Sequence, residues 1–447
     1  MADSIVAKFG GSSVRDDRAM LRCAQIVKSF PGIKLVILSA TYNTTNELEL
    51  LAENALRGDA TQAYEIFHDL VNRHLEFAEK LVLTDSQVEK MAEIFAQTGN
   101  LLEQIIEKKM ISPQEMARLY SIGEIISSHL FLGALNLTMH NRKFKLIDAT
   151  ELIATDEDSF HANPDIQQIN LNIKEKCLNY FAAGYTLVTQ GFIGSDKNNL
   201  ITTLGREGSD FSGALLAEAI GADLLQIWTD VPGIASADPR LMTNTQIIPT
   251  LSYKQAQIMA SLGAKVLFPR TMEPLLRKNI PLFVGRSRLP LQSGTYIRAQ
   301  KNKRGVLSLN ILREVICLDI PIDQPGQLHS ATEVFAGLEA CAILSIRNPH
   351  FFRLVFEMTR EIDERTLKAQ LGDQLIYRLQ SHLALVSLVG AGLLQEKIVI
   401  TEHLCLLAND YQISYLCTEF NQNYWQDIHD QLILNSPDQC ERSKFHL

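Results

Sequence analysis

A lysine, two glycines and two hydroxyl side chains follow one another at the end of the first apolar stretch of the chain. These residues are Lys8, Gly10, Gly11, Ser12 and Ser13. Adjacent glycines let the backbone approach an anion closely, with N–H groups directed at it and no Cβ in the way. A helix is predicted to begin near Asp16, and its partly positive N-terminal end would lie close to the same turn. The pattern favours a phosphate-handling turn, although a plain tight turn also fits these residues alone.

A second group of polar residues lies in the loops between 190 and 240. The segment 202–210 combines glycines and hydroxyls with Arg206 and Asp210, ahead of a helix predicted from about Ser212 to Ile220. Arg206 could bind a carboxylate through two parallel hydrogen bonds. Asp210 also fits an ordinary acid at the start of a helix. Loops at the carboxyl ends of strands are where open α/β sheets bind ligands, so this region is a candidate site.

The common phosphate-binding patterns do not account for these residues. The sequence contains no G-x-x-x-x-G-K-[ST] loop, no HRD or DFG signature of protein kinases and no G-x-G-x-x-G dinucleotide turn. If the chain transfers phosphate, it does so on another scaffold.

Composition narrows the class of protein. The 447 residues are 46% hydrophobic and 21% charged, enough for two or three domains with large cores. The net charge of -9 argues against a nucleic acid or membrane surface as partner and favours small molecules. Seven scattered cysteines without C-x-x-C spacing support neither a disulfide framework nor a metal site, so a reduced cytoplasm is expected. The longest apolar run, 383–394, is too short to span a bilayer, which predicts a soluble protein.

The first 300 residues alternate predicted strands and helices, which is typical of an α/β sandwich with a helical insert. Buried strands are predicted at 34–39, 185–191, 224–228 and 282–284, and helices at 45–57 and roughly 61–109. The basic segment 298–304 is predicted to be a linker. Two similar β-loop-α-β units are expected beyond it, with strands at 315–322 and 383–388 and a helix near 399–409. Since neither unit covers its own sheet, they should pack together or on another chain.

Taken together, the motifs resemble those of the aspartate kinases of the amino-acid kinase family. Lys8 to Val14 resembles KFGGTSV, with Ser12 in the place of threonine, and the other matching segments follow in the family's order. They are Ser39-Ala40 with Thr45-Asn46, Ser121 to Glu124, Thr202 to Asp210, Trp228 to Gly233 with Asp238 to Arg240, and Gly263 to Leu267. The resemblance covers residues 1 to about 300, and the remainder more weakly resembles tandem ACT domains.

The resemblance implies an αβα sandwich with a mainly parallel sheet, followed by α+β, ferredoxin-like ACT domains. The catalytic domain would span 1–297, with its helical insert at about 61–135, and the two ACT-like domains 305–380 and 381–447. The implied reaction transfers phosphate from ATP to the side-chain carboxylate of L-aspartate, the first step towards lysine, threonine and methionine. A carboxylate is already a nucleophile, so positioning and charge neutralisation would dominate catalysis.

The resemblance also assigns the site residues. Lys8 would contact the phosphoryl group in transit, and Asp210 would organise Lys8 and the substrate amine. The substrate-binding residues would be Glu124 for the α-ammonium, Arg206 for the α-carboxylate, and Ser39 and Thr45 near the reacting side chain. ATP would be held by Gly10, Gly11, Ser12, Thr229, Asp230, Arg240 and Lys265, with Mg²⁺ carried mostly by phosphates and water. No metal-binding residue is predicted.

Several positions depart from the family pattern. Glu207 replaces a glycine beside the phosphate site, Asn43 replaces a loop glycine, Ala235 replaces a tyrosine and Phe268 a histidine. None of these changes removes a charged residue assigned above, so an active kinase remains the prediction.

Regulation by an amino acid is also implied. Gly326, Gln327 and Leu328 resemble the ACT effector loop, and lysine is the first candidate, although Ile343 stands where lysine-sensitive members have an acid. Threonine, or no effector, is the alternative. A homodimer or homotetramer through the ACT-like domains is expected.

Two other functions stay open at this point. A sister kinase acting on glutamate, acetylglutamate or a nucleotide monophosphate would share the phosphate-handling residues, but an acetylated or nucleotide substrate would not need Glu124. A catalytically weak, amino-acid-binding regulatory subunit is supported only by Glu207 and Ala235.

Overall fold

The computed structural model describes most of the chain. The described residues are 3–263, 269–289, 294–300, 304–322, 335–339, 341–359, 362–372, 375–396, 398, 400 and 403–434. The chain divides into two compact units, which are considered separately. The first unit is Met1–Gly233 with Phe268–Ala299, and the second is Ile234–Leu267 with Gln300–Leu447.

The first unit contains a mainly parallel sheet. Its strands are β1 (Ile5–Phe9), β2 (Ile33–Leu38), β3 (Lys143–Leu146), β4 (Tyr185–Gln190), β7 (Leu224–Thr229), β9 (Leu282–Arg286) and β10 (Thr295–Ile297), with a separate hairpin of β5 (Ile193–Ser195) and β6 (Ile201–Thr203). They lie in the order β3-β4-β2-β1-β7-β9-β10, and only β10 is antiparallel to its neighbour β9. The central strands β1 and β2 are almost continuously apolar because both faces of the sheet are covered.

Helices pack on both faces of this sheet. The helices of the first unit are α1 (Asp17–Ser29), α2 (Thr44–Arg57), α3 (Ala60–Lys80), α4 (Asp85–Lys108), α5 (Pro113–Thr138), α6 (Ile166–Lys176), α7 (Leu178–Ala182), α8 (Gly208–Ile220) and α10 (Pro269–Lys278), with a short 3-10 turn at Ala149–Glu151. On one face, α1 and α5 share a core with alternate residues of β1 and β2, such as Phe9 and Leu38. On the other face, Gly213 of α8 lies over Lys8 and Ile37.

Helix α5 is long because its start is strongly defined and its interior is apolar. Ser112 accepts a hydrogen bond from the backbone of Glu115, whose carboxylate accepts one from the Ser112 N–H in return, and Pro113 occupies the first helical position. The helix is buried along most of its length, including Ser121, Gly123 and Glu124. This burial brings a carboxylate into the interior of the unit.

The second unit is an antiparallel sheet with helices. Its elements are β8 (Thr250–Leu251), α9 (Tyr253–Ser261), β11 (Gly305–Pro321), β12 (Leu344–Arg347), β13 (Phe351–Glu357), β14 (Arg378–Ala391), β15 (Leu404–Ala408), β16 (Gln412–Cys417), the helices Glu364–Leu371 and Gln422–His429, and a π-turn at Asp430–Leu434. Six of these strands form one sheet in the order β12-β13-β11-β14-β16-β15. The long strands β11 and β14 pair at its centre, and each half of the sheet has its own apolar cluster.

The predicted helix near 399–409 is wrong, because Leu404–Ala408 is a strand. The leucines and alanine of this stretch suit a helix, but it pairs antiparallel with β16 through a turn at Asn409. The Asn409 side chain accepts hydrogen bonds from the backbone N–H groups of Tyr411 and Gln412, which fixes that turn. Strand β11 also starts ten residues earlier than predicted, at Gly305, and α8 starts at Gly208 instead of about Ser212.

Within the part of the chain that the structure describes, no helix combines the length and apolar character needed to cross a membrane.

Candidate active site

The lysine at the end of β1 is buried and paired with an acid. Lys8 is 6% exposed, and its neighbours in register on the adjacent strands are Ile37 and Ile227. Its side chain therefore points towards α8, where its ammonium forms an ion pair with the carboxylate of Asp210 in the first turn. Asp210 is 7% exposed, so the pair is shielded from water, and removing either partner would leave an uncompensated buried charge.

The glycine turn that follows Lys8 is held against the end of β7. The N–H of Gly10 donates to the carbonyl oxygen of Trp228 at 3.0 Å, and the Ser13 hydroxyl donates to the same oxygen at 3.1 Å. The Ser287 hydroxyl donates in turn to that of Ser13 at 2.7 Å. The turn is thus fixed at the carboxyl ends of two neighbouring strands, with Ser12 half-buried beside it.

A segment after β2 packs between two glycines. A Cβ at Gly11 would lie 2.9 Å from the carbonyl oxygen of Ala40, and one at Gly123 would lie 2.7 Å from the Ala40 methyl carbon. Both distances are shorter than a side chain tolerates, so glycine is required for this close approach. The packing places the glycine turn, the segment around Ala40 and helix α5 in direct contact.

Glu124 follows Gly123 and is 4% exposed. Burial raises the pKa of its carboxyl to about 8, although a hydrogen bond from the Ala40 backbone and the charge of Lys8 act in the opposite direction. Its Oε2 atom has no hydrogen-bond partner among the described residues. Burying a carboxyl oxygen without a hydrogen-bond partner lowers the stability of the folded protein. A bound cation or hydrogen-bond donor would provide that partner.

Two more of the predicted substrate residues, Ser39 and Thr45, lie on either side of Ala40 in the sequence. Ser39 is half-buried, and its N–H donates to the carbonyl oxygen of Phe9 at 3.1 Å. Thr45 is half-buried in the first turn of α2. Asn43, which precedes that helix, has φ of 68°. This is the left-handed region that glycine favours and asparagine tolerates, so the replacement of the family's glycine is compatible with the backbone.

Arg206 and Glu207 lie on the exposed loop before α8. Glu207 is the residue that caps the helix, and its φ of 54° is again in the left-handed region. The pKa of the Glu207 carboxyl is raised above its usual value by partial burial and by the nearby charge of Asp210. The charges of Lys8 and Arg206 oppose this shift without cancelling it. Glu207 therefore belongs to the same electrostatic environment as the buried ion pair.

The predicted nucleotide residues are divided between the two units. Thr229 ends β7, its hydroxyl donates to the exposed Asp230 at 3.2 Å, and Arg286 Nε donates to the Asp230 carbonyl at 2.8 Å. Arg240 lies in the second unit, exposed, with two hydrogen bonds of 2.9 and 2.6 Å from its guanidinium to Asp238.

Four other predicted residues, Lys265, Gly326, Gln327 and Leu328, lie outside the described residues. The structure brings together Lys8, Asp210, Glu124, the glycine turn and Ser39 within the first unit.

Sequence reasoning missed a set of buried polar residues behind this site. Thr41, Thr44 and His74 are hydrogen-bonded to one another, and Arg73 joins them through Thr44. His74 lies on α3, 33 positions from Thr41, which lies in the loop before α2. No local spacing connects such residues, and only the TxxT pattern within the loop hinted at a hydroxyl pair.

Known proteins resemble this chain in sequence. The sequence model of the group described as the amino acid kinase family matches residues 3–286. Lysine-sensitive aspartokinase 3 of Escherichia coli strain K12 is 36% identical over 300 residues, which cover 66% of this chain and 64% of that protein. The chain spans less than two thirds of the length of the first curated relatives that it matches.

Solved structures resemble it over nearly the whole chain. The crystal structure of E. coli aspartokinase III with aspartate and ADP, in the R-state, superposes with a TM-score of 0.82 at 28% identity, covering 95% of this chain and 98% of that one. The T-state structure of the same enzyme with lysine and aspartate gives 0.77 at 30% identity, covering 96% and 99%. These similarities confirm the predicted fold class, a mainly parallel αβα sandwich followed by antiparallel α+β domains.

Proposed function

This chain belongs to the amino acid kinase family, and we propose that within it the protein is an aspartate kinase, converting ATP and L-aspartate to ADP and 4-phospho-L-aspartate. The observation that carries the proposal is the buried Glu124, whose Oε2 has no hydrogen-bond partner among the residues that the structure describes and lies in the environment of the Lys8–Asp210 ion pair. A free amino acid brings the ammonium group that such a carboxylate needs. Acetylated amino acids and nucleotides bring none.

Recognition of aspartate uses complementary charge. Glu124, in its ionised form, binds the α-ammonium, and the exposed guanidinium of Arg206 binds the α-carboxylate with two parallel hydrogen bonds. Ser39 and Thr45 orient the side-chain carboxylate from the segment that contacts the glycine turn. A substrate with one ammonium and two carboxylates fits this arrangement better than a simple carboxylic acid does.

The transfer step needs no general base. One oxygen of the ionised aspartate side chain attacks the γ-phosphorus, the bond from that phosphorus to the β,γ-bridging oxygen breaks, and ADP leaves with that electron pair. Lys8 neutralises charge on the phosphoryl oxygens, and Asp210 fixes the direction of its ammonium. The N–H groups at Gly11 and Ser12, with the Ser12 hydroxyl, donate to phosphate oxygens, whereas the N–H of Gly10, also predicted as a donor, is bonded to the Trp228 carbonyl oxygen.

Nucleotide binding involves Thr229, Asp230, Arg240 and Lys265 in addition to the glycine turn. Mg²⁺ neutralises phosphate charge when bound, and it prefers phosphate oxygens and water to dedicated protein cages. The described ranges contain no group of three or more His, Cys, Asp or Glu that could hold a metal. Arg240 would have to exchange its hydrogen bonds with Asp238 for bonds to the nucleotide.

Regulation and assembly are part of the same proposal. We propose feedback inhibition by lysine through the ACT-like half, with Gly326, Gln327 and Leu328 among the effector-binding residues. A homodimer or homotetramer through that half would extend or cover its six-stranded sheet. The cytoplasm is the proposed compartment, because the described cysteines are all free thiols, namely Cys23, Cys177, Cys317, Cys341, Cys405 and Cys417.

The test is ATP-dependent acyl-phosphate formation, trapped with hydroxylamine, with L-aspartate, L-glutamate and N-acetylglutamate as acceptors. We expect product from aspartate alone, and loss of it in Lys8→Met. Because that variant leaves Asp210 buried without a partner, the double variant Lys8→Met/Asp210→Asn serves as the folded control. Thermal unfolding of both variants shows whether lost activity reflects lost chemistry.

Other outcomes would redirect the proposal. Product from glutamate or acetylglutamate would indicate a sister kinase. Heat on titration with aspartate but none with Mg-ATP, together with no product, would indicate the regulatory subunit. Millimolar lysine that leaves the rate unchanged would refute lysine as the effector and leave threonine, or none, as the alternative.

A further inference from the structure

A buried histidine lies behind the segment that carries Ser39 and Thr45. His74 on α3 has no exposed surface, and both ring nitrogens are hydrogen-bonded. Nδ1 lies 2.7 Å from the carbonyl oxygen of Leu70, and Nε2 lies 2.8 Å from the hydroxyl of Thr41. The reaction described above makes no use of this side chain.

The direction of each hydrogen bond in this network follows from the groups at its two ends, which are the carbonyl oxygen of Leu70 and the guanidinium of Arg73. A carbonyl oxygen only accepts, so the His74 proton is on Nδ1, and Nε2 must accept from the Thr41 hydroxyl. The Thr41 oxygen then accepts from the Thr44 hydroxyl, 2.6 Å away. The Thr44 oxygen accepts from Arg73 at 3.2 Å. Each hydroxyl has one proton, so only one arrangement satisfies all the groups.

Charge on the surrounding groups supports this arrangement. Burial, with the charge of Arg73, lowers the pKa of His74 to about 4, while the Leu70 hydrogen bond and Glu47 act in the opposite direction. The ring is therefore neutral near pH 7, as an acceptor at Nε2 requires. Arg73 is held by Glu47 through hydrogen bonds of 2.7 and 2.5 Å. Burial alone would raise the pKa of Glu47, but Arg73 outweighs it and the pKa is lowered.

The network fixes the one turn of backbone between the two substrate residues. The N–H of Thr44 donates to the carbonyl oxygen of Thr41 at 3.1 Å, and the two side chains are 2% and 0% exposed. Ser39 and Thr45 flank this turn, and Ala40 contacts Gly11 and Gly123. A change in the turn would move both hydroxyls and the backbone that hydrogen-bonds Glu124.

We infer that His74 is a positioning residue for the amino-acid substrate, because it fixes Thr41 and Thr44 and thereby the segment that presents Ser39 and Thr45. The inference rests on the proposed function, since it assigns the segment to aspartate. It predicts that kcat/KM for aspartate depends on the hydrogen-bond acceptor at Nε2. A side chain that only fills the space at position 74 should not replace His74.

Two matched pairs of variants test the inference. Thr41→Val removes the hydroxyl at nearly constant volume, and Thr41→Ser keeps it. His74→Asn keeps a donor for Leu70 but loses the acceptor, whereas His74→Gln places an amide oxygen near Nε2. In the full chain, Thr41→Val and His74→Asn should lower kcat/KM for aspartate about tenfold, the effect of one lost hydrogen bond. Thr41→Ser and His74→Gln should stay within about twofold of wild type, and KM for ATP should be unchanged throughout.

Hydrogen exchange of the peptide covering 39–46 gives a readout that does not depend on activity. Faster exchange in Thr41→Val and His74→Asn alone supports the inference. Equal kinetics within each pair, or lower melting temperatures with unchanged exchange and KM, would overturn it. If wild type does not phosphorylate aspartate, the proposed function fails, and the exchange data decide by themselves whether His74 positions this segment.

Discussion

Replacing Glu124 by glutamine should make the ligand-free protein less sensitive to alkaline pH. The carboxyl is buried, and its pKa is raised from 4.5 to about 8. At about 1.36 kcal/mol per pH unit, this difference amounts to about 5 kcal/mol between fully protonated and fully ionised Glu124. Glutamine has nearly the same shape, can accept the hydrogen bond from Ala40, and carries no charge at any pH.

The sign follows from proton binding. Near pH 7 the folded protein holds a proton on Glu124 and the unfolded chain does not, so folding takes up a proton. The Glu124 contribution to stability is fully present below pH 4.5, decreases as pH rises and is lost above about pH 8. Between pH 6 and 8, wild type should lose about 2 kcal/mol relative to Glu124→Gln, which corresponds to about 4 °C in the melting temperature of the first unit.

Thermal unfolding of the ligand-free proteins at pH 6, 7, 8 and 9 measures this difference. Glu103→Gln, on the exposed surface of α4, removes the same charge without burial and should run parallel to wild type. A melting-temperature difference between wild type and Glu124→Gln that is the same at pH 6 and 8 would show that Glu124 is ionised in the free protein. That result would refute a raised pKa for the Glu124 carboxyl.

Aspartate binding gives a second measure of the same proton. If the α-ammonium binds ionised Glu124, wild type must release about 0.9 proton per aspartate at pH 7, and little at pH 9. Titration calorimetry in two buffers of different ionisation enthalpy counts these protons. Binding without proton release at pH 7 would exclude Glu124 as the partner of the ammonium.

Three further substitutions test the packing around the site and the sheet. Glu207→Gly should raise stability by about 1 kcal/mol in denaturant unfolding, because φ there is 54°, and Glu207→Ala should not. Gly123→Ala should cost about 1–3 kcal/mol and weaken aspartate binding, since its Cβ would lie 2.7 Å from the Ala40 methyl, whereas Gly99→Ala, with its nearest contact at 3.6 Å, should be tolerated. Arg142→Met should lower stability by about 2–3 kcal/mol, with little rescue by lysine, because the guanidinium donates to Thr186 Oγ1 at 2.8 Å and to several backbone carbonyls.

The parallel sheet was predictable because the residues within each strand already indicate a buried strand. Stretches such as Ile33–Leu38 are apolar at every position except Lys34, which suits a strand covered on both faces. The strand Leu404–Ala408 was not predictable in this way, since five leucine, cysteine and alanine residues fit a helix equally well. Its conformation depends on pairing with β16, a tertiary contact that outweighs propensity.

The candidate site, like the fold, could be predicted from the sequence only in part. Lys8 and Asp210 lie in sequence motifs that identify them, so their chemistry could be anticipated from the sequence. Burial could not be anticipated, and burial is what raises the pKa of Glu124 and makes the His74 ring neutral. The contribution of Arg73 was also invisible, because its link to the site passes through a threonine that is 29 positions away.

The motifs that contain Gly11 and Gly123 are far apart in the sequence, but both pack against the same segment of the chain. Gly11 in the glycine turn and Gly123 in α5 both leave space for the same residue, Ala40, on different sides. Glu124 is aimed at the site only because Gly123 lets α5 approach the segment that closely. A shift of α5 by one residue would bring Ile122 or Glu124 itself to the contact with Ala40 and move the carboxylate about 100° around the helix. The glycine next to the glutamate therefore sets the position of the charge as strictly as the glutamate itself does.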